Sequence, residues 1–462
     1  MNCLLNILTA AAVAVAVFSS PAIAAVYLIE PDGTGDFPTI QDAIAAATGG
    51  DVIELSDGTF TGDGNRDIDF LGKAITLRSR SGNPKACIID CEAGPGYEHR
   101  GFYFQSGEGP ESVLEGITLT GAFRSENAAG VYCWEASPTF ADCIFTNNTT
   151  WYSGGAIYAR ECFSTFTRCR FLDNTAYDAG GAVFLHESAP LLTECTFRGN
   201  ESVRYYGGGI SCSQSSPSLT DCVFDQNLAD MGGGAIWCYP SGSPQLTRCA
   251  FTGNSAHLGG AVQCFSSSPV LTRCTFASNT AFQGAGIWCY ESSALLTECL
   301  LAGNSAVWGG GMYCGNGSPS LRHCTLCGNS APDGGGIWCD LGSSPEIVNT
   351  LIVFSTEGEG IGCDESVTGL SLTCSDIYGN AGGDWAGCPS NQPGSTGNFS
   401  EDPLFCDSDG ECFQLQECSP CIDGYGCGQV GAFGVGCPCG GGASGVDAIT
   451  WTRMKDRFKG TD

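Results

Sequence analysis

The chain has 462 residues and a formal net charge of −30. So large a negative charge argues against a nucleic-acid partner, because nucleic-acid binding depends on neutralising phosphates with Lys and Arg. Thirty cysteines and 67 glycines indicate an oxidising compartment and a fold with many tight turns.

An apolar segment opens the chain. Residues 1–24 run through small and apolar side chains to Ala22-Ile-Ala24, which is the pattern of a signal peptide with its cleavage site. The apolar run of about 15 residues is shorter than the roughly 20 that span a bilayer. No other segment approaches that length, so we predict a mature chain without a membrane span, secreted or held at the outer cell surface.

Residues 25–111 are predicted to form an N-terminal cap and the first coils of a solenoid. A short amphipathic helix at residues 39–47 would cover the open apolar end, as solenoids require. The stretch that follows supplies the first strands and two cysteines, Cys87 and Cys91. We predict that these two form a local disulfide.

Repeats of about 25 residues fill residues 112–380. Each carries a Cys followed two residues later by Phe or Leu and five residues later by Asn, as in the stretch from Cys143 to Asn148. A Gly-Gly-x-Ile/Val motif and a Ser-Pro or Ala-Pro step recur in phase with it. The period fits one coil of three short strands, whereas helical repeats would not tolerate so much Gly, Ser and Thr. We therefore predict an all-β chain that forms a single right-handed parallel β-helix.

The Asn of each repeat falls at the same turn of successive coils. Amides stacked in this way form a ladder of hydrogen bonds between coils. The predicted ladder consists of Asn148, Asn174, Asn200, Asn227, Asn254, Asn279, Asn304 and Asn329.

Alternation within the strands places the aliphatic residue of the Gly-Gly motif, and the Cys two residues later, on the inward face. Together with the Cys of the other motif, most coils then hold two inward cysteines. One interpretation is a disulfide across each coil; the other is that Cys serves as a small core hydrophobe. The predicted pairs are Cys212–Cys222, Cys238–Cys249, Cys264–Cys274, Cys289–Cys299 and Cys314–Cys324.

The outward residue between the inward aliphatic and Cys positions is aromatic in most coils. Rings aligned along a flat β-helix face suit sugar rings or the edge of a partner. The alternative is that aromatic neighbours on one face stabilise the sheet by themselves. The candidate ligand-binding residues are Tyr132, Tyr158, Trp237, Trp288, Tyr313 and Trp338.

The repeat pattern is lost after residue 380. Residues 381–439 are rich in Cys and are predicted to form a disulfide-stapled C-terminal cap. A Gly-rich linker, 440–446, leads to an amphipathic tail, 447–462, in which Trp451, Met454 and Phe458 share a helical face. We interpret this tail as a segment that docks to an envelope or sorting component, with a frayed end as the alternative.

Two sets of motifs resemble known families. The Gly154-Gly-Ala-Ile157 motif, the stretch from Phe145 to Asn148 and their later copies resemble the repeats of chlamydial polymorphic outer-membrane proteins, which are β-helical surface adhesins. Residues 32–55 are similar to the opening of pectin methylesterases and other secreted proteins of the pectin-lyase type. Both resemblances imply a β-helix and a role outside the cell.

The chemical signatures of the enzymes in that group are missing from the sequence. No segment carries the paired carboxylates and Arg of a pectin methylesterase, and the outward charges of the repeats alternate in sign instead of clustering. We assign no catalytic residue and no metal site. Calcium is the one cofactor left open, through the loop-like stretch from Asp407 to Glu411, although a polar turn explains that stretch better.

These observations favour a secreted or cell-surface module that binds carbohydrate or a surface partner, as an adhesin does. Two alternatives stay open: a polysaccharide-active enzyme, lyase or epimerase, with an atypical site, and a structural protein of an envelope or matrix. An acidic cluster with an Arg above one coil face would favour the enzyme. A bare aromatic stripe would favour binding.

Overall fold

A computed structural model describes residues 24–406 and 413–439 of the chain. They wind into a right-handed parallel β-solenoid of about 14 turns, which confirms the predicted all-β class and the β-helix. Successive coils add strands to four parallel sheets, so the neighbours of a strand come from the coils before and after it. The signal-peptide segment up to residue 23, the stretch from Asp407 to Glu411, and the predicted linker and tail lie outside the described residues.

Sheet 1 has 14 strands: Val26–Ile29, Val52–Leu55, Thr76–Ser79, Val113–Glu115, Thr139–Ala141, Thr165–Thr167, Leu191–Thr193, Ser218–Thr220, Gln245–Thr247, Val270–Thr272, Leu295–Thr297, Ser320–Arg322, Glu346–Val348 and Ser371–Thr373. Sheet 2 has 13: Gly58–Phe60, Cys87–Asp90, Thr118–Thr120, Ile144–Thr146, Arg170–Leu172, Thr196–Arg198, Val223–Asp225, Ala250–Thr252, Thr275–Ala277, Leu300–Ala302, Thr325–Cys327, Leu351–Val353 and Asp376–Tyr378.

Sheet 3 has seven short strands: Phe123–Arg124, Thr149–Thr150, Thr175–Ala176, Glu201–Ser202, Leu228–Ala229, Ser255–Leu258 and Thr280–Gln283. Sheet 4 has 12: Ile68–Asp69, Phe102–Phe104, Val131–Trp134, Ile157–Arg160, Val183–His186, Ile210–Ser213, Ile236–Tyr239, Val262–Phe265, Ile287–Tyr290, Met312–Gly315, Ile337–Asp340 and Ile361–Cys363. A fifth, two-stranded sheet pairs Leu415–Gln416 with Val435–Cys437.

A short α-helix, Ile40–Ala46, packs at the N-terminal end of the solenoid. It begins after Thr39, whose side chain accepts a hydrogen bond from the Asp42 amide, as an N-cap residue does. Its apolar face, which includes Ile44, is buried against the first coils. The helix falls within the predicted 39–47 segment and is one residue shorter at each end.

The interior is filled by side chains that repeat from coil to coil. One column of phenylalanines runs under sheet 2, with neighbouring ring centroids 4.6 to 5.1 Å apart. Stacked rings at this separation add to the stabilisation from burial. The column consists of Phe145, Phe171, Phe197, Phe224, Phe251 and Phe276.

The eight asparagines of the predicted ladder are buried and joined along the solenoid axis. The side-chain amide of Asn254, for example, donates to the Asn279 Oδ1 at 3.0 Å and to the Phe224 carbonyl at 3.0 Å. The residue before each Asn adopts a positive φ, as Gly253 does at +63°. This backbone turns the chain sharply between sheets 2 and 3 and accounts for part of the glycine content.

The structure corrects the predicted disulfides across the coils. All ten cysteines of the five pairs, from Cys212 to Cys324, are free and buried. The two inward positions stand on different walls of a coil, whereas copies of one position stack about 4.8 Å apart along the axis. The sulfur neighbours of Cys222 are therefore those of Cys195 and Cys249, its counterparts in the adjacent coils.

The predicted local disulfide is also replaced by free, buried thiols at Cys87 and Cys91. Cys87 begins the strand Cys87–Asp90 of sheet 2, and Cys91 follows its end. Four residues of extended chain span roughly 13 Å. This distance is beyond the reach of a disulfide, whose two Cα atoms lie within about 7 Å of each other.

Within residues 24–406 and 413–439, disulfides are concentrated at the C-terminal end. Four bonds, Cys363–Cys388, Cys374–Cys427, Cys406–Cys437 and Cys418–Cys439, tie this region to itself and to the last coils. A second apolar cluster, which includes Phe399 and Leu415, packs there against strands of sheet 2. None of the helices in the described part of the chain is long and apolar enough to cross a membrane.

Candidate functional site

The outer face of sheet 4 carries the predicted aromatic stripe, but its rings are not equally accessible. Trp288 is only 6% exposed and Tyr313 only 4%, which corrects the prediction that they present open rings to solvent. Tyr132, Tyr158, Trp237 and Trp338 are half-buried. Different side chains cover the rings at the two ends of the sheet, so the cause of their burial differs between the ends.

In the C-terminal half of this face, the aromatic rings pack on one another. The Trp288 ring lies 5.7 Å from that of Tyr290, which belongs to a second row two residues along the strand, and 5.9 Å from that of Tyr313. The Trp288 indole donates to Gln283 at 3.1 Å, and the Tyr313 hydroxyl donates to an Asp340 carboxylate oxygen at 2.7 Å. We call the region from Ile236–Tyr239 to Met312–Gly315 the packed half.

Trp237 is covered in a similar way. Tyr206, from the corner before the strand Ile210–Ser213, stacks on its ring at 4.5 Å, and Tyr239 lies 5.4 Å away on the second row. Trp288 and Tyr313 therefore offer little ring surface on which a ligand could stack, whereas Tyr239 stays 39% exposed.

The N-terminal half of the same face forms an open cleft of about 570 Å³. Strands of sheet 4 supply its floor, and the corner that leads out of sheet 3 supplies its rim. We call it the arginine cleft. It is lined by Arg100, Tyr103, Gln105, Arg124, Ser125, Glu126, Asn127, Tyr132 and Tyr152.

Arg100 is the central feature of the arginine cleft. Its guanidinium lies between two rings, 4.7 Å from the centre of Tyr103 and 4.9 Å from that of Tyr132. Nε donates to the Ala128 carbonyl and Nη2 to the Asn127 carbonyl, both at 2.6 Å. Two carbonyls and two ring faces thus fix a planar cation in one orientation.

Arg100 is 4% exposed, and within the described residues it forms no salt bridge with a carboxylate. Its third nitrogen, Nη1, makes no hydrogen bond to a described residue. Burial lowers the pKa of this guanidinium, although an arginine stays protonated in proteins. Burial of a charge costs desolvation free energy, and without a counter-ion no attraction offsets that cost. A buried guanidinium without a carboxylate partner is therefore unfavourable.

Asp67 positions the segment that carries Arg100. One of its carboxylate oxygens accepts the Arg100 backbone N–H at 2.9 Å, and the other lies 2.6 Å from His99 Nδ1. Asp67 adopts a left-handed φ of +51°, a conformation that Asp and Asn adopt more readily than most other residues.

A second cation, Arg124, and an exposed ring, Tyr152, form part of the rim of the arginine cleft. Arg124 lies 3.5 Å from Glu126 and 4.0 Å from Glu98, and its buried Nε has no hydrogen-bond partner in the part of the chain that the structure describes. Tyr152 is 54% exposed and its neighbour Trp151 47%. These two rings are free to stack on a ligand.

A neighbouring cleft of about 500 Å³ continues along the solenoid axis. It shares Tyr152 with the arginine cleft and is also lined by Trp151, Tyr177, Asp178 and Arg204. The Arg204 guanidinium lies 5.7 Å from the centre of the Tyr177 ring. The combination of an arginine with a tyrosine ring therefore occurs twice along this side of the molecule.

Of the six predicted ligand-binding residues, Tyr132 alone lines the arginine cleft. Tyr158 stacks on it at 5.8 Å, and the other four lie farther along the face. Arg100 was not among the predicted site residues, although it departs from the pattern of the repeat. By strand register Arg100 stands opposite Ala129, at the position that later coils fill with the second Gly of the Gly-Gly motif, as with Gly155.

No metal site accompanies these clefts. Nowhere in residues 24–406 and 413–439 do three or more His, Cys, Asp or Glu side chains come together in a way that could hold a metal ion.

Comparison with known proteins identifies the family. The sequence profile described as "Right handed beta helix region" matches residues 52–255 and 207–352. The chain belongs to this family of right-handed β-helix proteins. The resemblance to chlamydial surface proteins stays a prediction, and no curated protein matches the chain.

Two solved structures resemble the solenoid. The alginate lyase AlyGC, of polysaccharide lyase family 6, superimposes with a TM-score of 0.58 at 14% identity, over 84% of this chain and 55% of its own. This chain thus spans little more than half of that lyase. A mannuronic-acid-specific family 6 lyase from human gut microbiota gives a TM-score of 0.50 at 14% identity, over 82% of this chain and 91% of its own. At this identity the similarity shows the shared fold and nothing about the reaction.

Proposed function

We propose that the chain is an extracellular carbohydrate-binding protein that holds an acidic polysaccharide in the arginine cleft. The observation that carries this proposal is the buried Arg100 guanidinium, which faces an open cleft without a carboxylate partner of its own. A uronic acid carboxylate would supply the missing counter-ion through a charge-assisted hydrogen bond. The four C-terminal disulfides support a location outside the cell.

The surroundings of Arg100 also suit a sugar acid. Trp151 and Tyr152 offer exposed ring faces to the apolar side of a sugar ring. The net charge of −30 repels a polyanion at long range, so affinity must come from the cleft and not from general attraction. This explains why cations concentrated at one place would be needed in so acidic a chain.

A polysaccharide lyase is the second candidate, and the pairing of His99 with Asp67 favours it. A lyase removes the proton beside a uronate carboxylate, forms a carbon–carbon double bond and releases the glycosidic oxygen as a hydroxyl. Arg100 would neutralise the carboxylate, and His99, whose ring is held by Asp67, would be the candidate base. The unsaturated product absorbs ultraviolet light, so incubation with polymannuronate or polygalacturonate distinguishes cleavage from binding alone.

Replacement of Arg100 tests the proposal. We expect the mature chain to bind an acidic polysaccharide such as polymannuronate and to ignore a neutral glucan in isothermal titration calorimetry. Arg100→Met keeps the length of the side chain and removes its charge, so affinity should fall by roughly 30-fold or more, as for loss of a buried charge partner.

Arg273→Met is the matched control. Arg273 is exposed and bonds Glu298 at 2.6 Å on a turn between sheets 1 and 2, away from the cleft. Its loss should leave affinity unchanged. Equal binding by Arg100→Met and the parent protein, with both folded by circular dichroism, would overturn the proposed site.

A further inference from the structure

Two cysteines outside the regular thiol columns meet beneath the arginine cleft. The sulfur atoms of Cys133 and Cys162 lie 3.1 Å apart, although the residues belong to neighbouring coils. Each residue is 1% exposed. Both are free thiols in the structure, and each is an exception in its own column of the solenoid.

Cys133 stands alone in the register of sheet 4. Its neighbours in the coils before and after are Phe104 and Ala159, and Leu185 follows Ala159. The column of inward cysteines in this sheet begins in the coil after Leu185, at Cys212. No neighbour in its own column therefore offers Cys133 a thiol.

Cys162 occupies a position that the next two coils fill with serine. Its backbone N–H donates to the Ser188 hydroxyl at 3.0 Å, and the Ser188 N–H donates to the Ser215 hydroxyl in the same way at 3.0 Å. These serines turn the chain out of sheet 4. In the coil of Cys162 a thiol takes the place of the serine hydroxyl, and its sulfur lies beside that of Cys133.

We propose that Cys133 and Cys162 form a disulfide in the exported protein. The bond would join the strand Val131–Trp134 to the turn after Ile157–Arg160. The two sulfur atoms must approach by about 1 Å to reach the bond length of about 2.05 Å. Small rotations of two side chains achieve this without a change of strand register.

The reaction requires an oxidant, which is the disulfide of a thiol–disulfide exchange protein or of a small thiol in the export compartment. One cysteine thiolate attacks that disulfide and forms a mixed disulfide, and the second cysteine then displaces the carrier. The pair loses two electrons and two protons, and the oxidant leaves as two thiols. Because both sulfur atoms are buried in the fold, the exchange takes place before these coils close.

The crosslink would hold the wall of the arginine cleft. Cys133 lies in the strand between Tyr132, which lines the cleft, and Trp134. The Arg160 guanidinium of the next coil lies 4.6 Å from the centre of the Trp134 ring. A covalent link at Cys133 therefore joins the coil that carries both rings to the next coil, which carries Arg160.

Peptide mapping of the full-length exported protein tests this bond. The protein is alkylated in denaturant without reduction, digested and analysed by mass spectrometry. We expect a peptide that links Cys133 to Cys162. Detection of both cysteines as alkylated, unlinked peptides would overturn the proposal.

Cys212 and Cys238 are the internal control, because they are register neighbours in the regular column. Their alkylation in the same digest shows that the reagent reaches buried thiols once the chain unfolds. If cysteines in every column were found linked, crosslinking would be a general consequence of oxidation. Selective pairing of Cys133 with Cys162 would then be wrong.

Thermal unfolding gives a second readout that is independent of ligand binding. If the bond exists, Cys133→Ala and Cys162→Ser should each lower the Tm by several degrees, and the double variant should lower it no further than the more harmful single one. Effects that add in the double variant would show that the two thiols contribute separately and are not bonded.

Discussion

The two halves of the outer face of sheet 4 share a row of aromatic residues but differ in what surrounds it. In the packed half, Trp288 has Tyr290 and Tyr313 as stacking partners and is nearly inaccessible. In the N-terminal half, Tyr132 lines an open cleft and faces the Arg100 guanidinium. An aromatic row along a β-helix is therefore not enough to define a binding surface.

The difference arises from two local changes to the repeat. Arg100 replaces a residue that is small in the following coils, and the corner at Trp151 and Tyr152 turns its rings outward. A second-row ring packs beside the first row in both halves, as Trp134 does on Tyr132 and Tyr290 on Trp288. The cover in the packed half also depends on corner side chains, such as Tyr206 over Trp237 and Gln283 against Trp288. Position on the sheet is thus the same in both halves, whereas the neighbours decide whether a ring stabilises the fold or remains available.

The largest expected effect concerns the stability of the packed half. Trp288→Ala removes a ring that is 6% exposed and leaves a cavity among its neighbours, so the free energy of unfolding should fall by about 3 kcal/mol. Chemical denaturation followed by circular dichroism measures this loss. Trp151→Ala removes the same side chain from an exposed corner and should lower stability by less than about 1 kcal/mol. Equal losses in the two variants would contradict the division of the face into two halves.

Binding should show the reverse pattern. Tyr152→Ala removes an exposed ring shared by both clefts, and we expect roughly a fivefold loss of affinity for an acidic polysaccharide, since one stacking contact is worth about 1 kcal/mol. Calorimetric titration of the folded variant measures the change. Trp288→Ala should keep the parental affinity at temperatures where it is folded. A larger loss of affinity in Trp288→Ala than in Tyr152→Ala would move the site to the packed half.

The smallest expected effect is that of salt. Salt weakens binding through Arg100 and Arg124 but also relieves the long-range repulsion from the net charge of −30. Between about 0.05 and 0.5 M NaCl the affinity of the parent should therefore fall by a few-fold relative to that of Arg100→Met, because screening of the repulsion acts on both proteins and screening of Arg100 acts on the parent alone. The same salt dependence in both proteins would contradict the role of Arg100.

The repeat made most of the fold predictable. A residue such as Asn254 must occupy the same turn in each coil to bond Asn279, so the period in the sequence follows directly from the geometry of the coil. The aromatic row could be placed on the outer face of sheet 4 for the same reason. Its accessibility could not, because Tyr206 covers Trp237 from a corner whose path the repeat does not specify.

The arginine cleft and the thiol pairing lay beyond the sequence for a related physical reason. Arg100 stands in an early, irregular coil, and its significance depends on its partners in space, because within the described residues its guanidinium bonds two carbonyls and no carboxylate. Cys162 lies seven residues before Cys169 in the sequence, whereas its sulfur neighbour is Cys133 in the preceding coil. Such contacts are set by the stacking of coils and by side-chain direction, which spacing along the chain does not reveal.

Binding in the arginine cleft requires that Arg100 receive the carboxylate of an acidic sugar. A crystal structure of the mature chain with a short polymannuronate oligosaccharide tests it most directly. We predict a carboxylate oxygen about 2.8 Å from the Arg100 guanidinium, with a sugar ring stacked on Tyr152. An oligosaccharide bound on the packed half, or one in the arginine cleft with its carboxylates turned away from Arg100, would contradict the account.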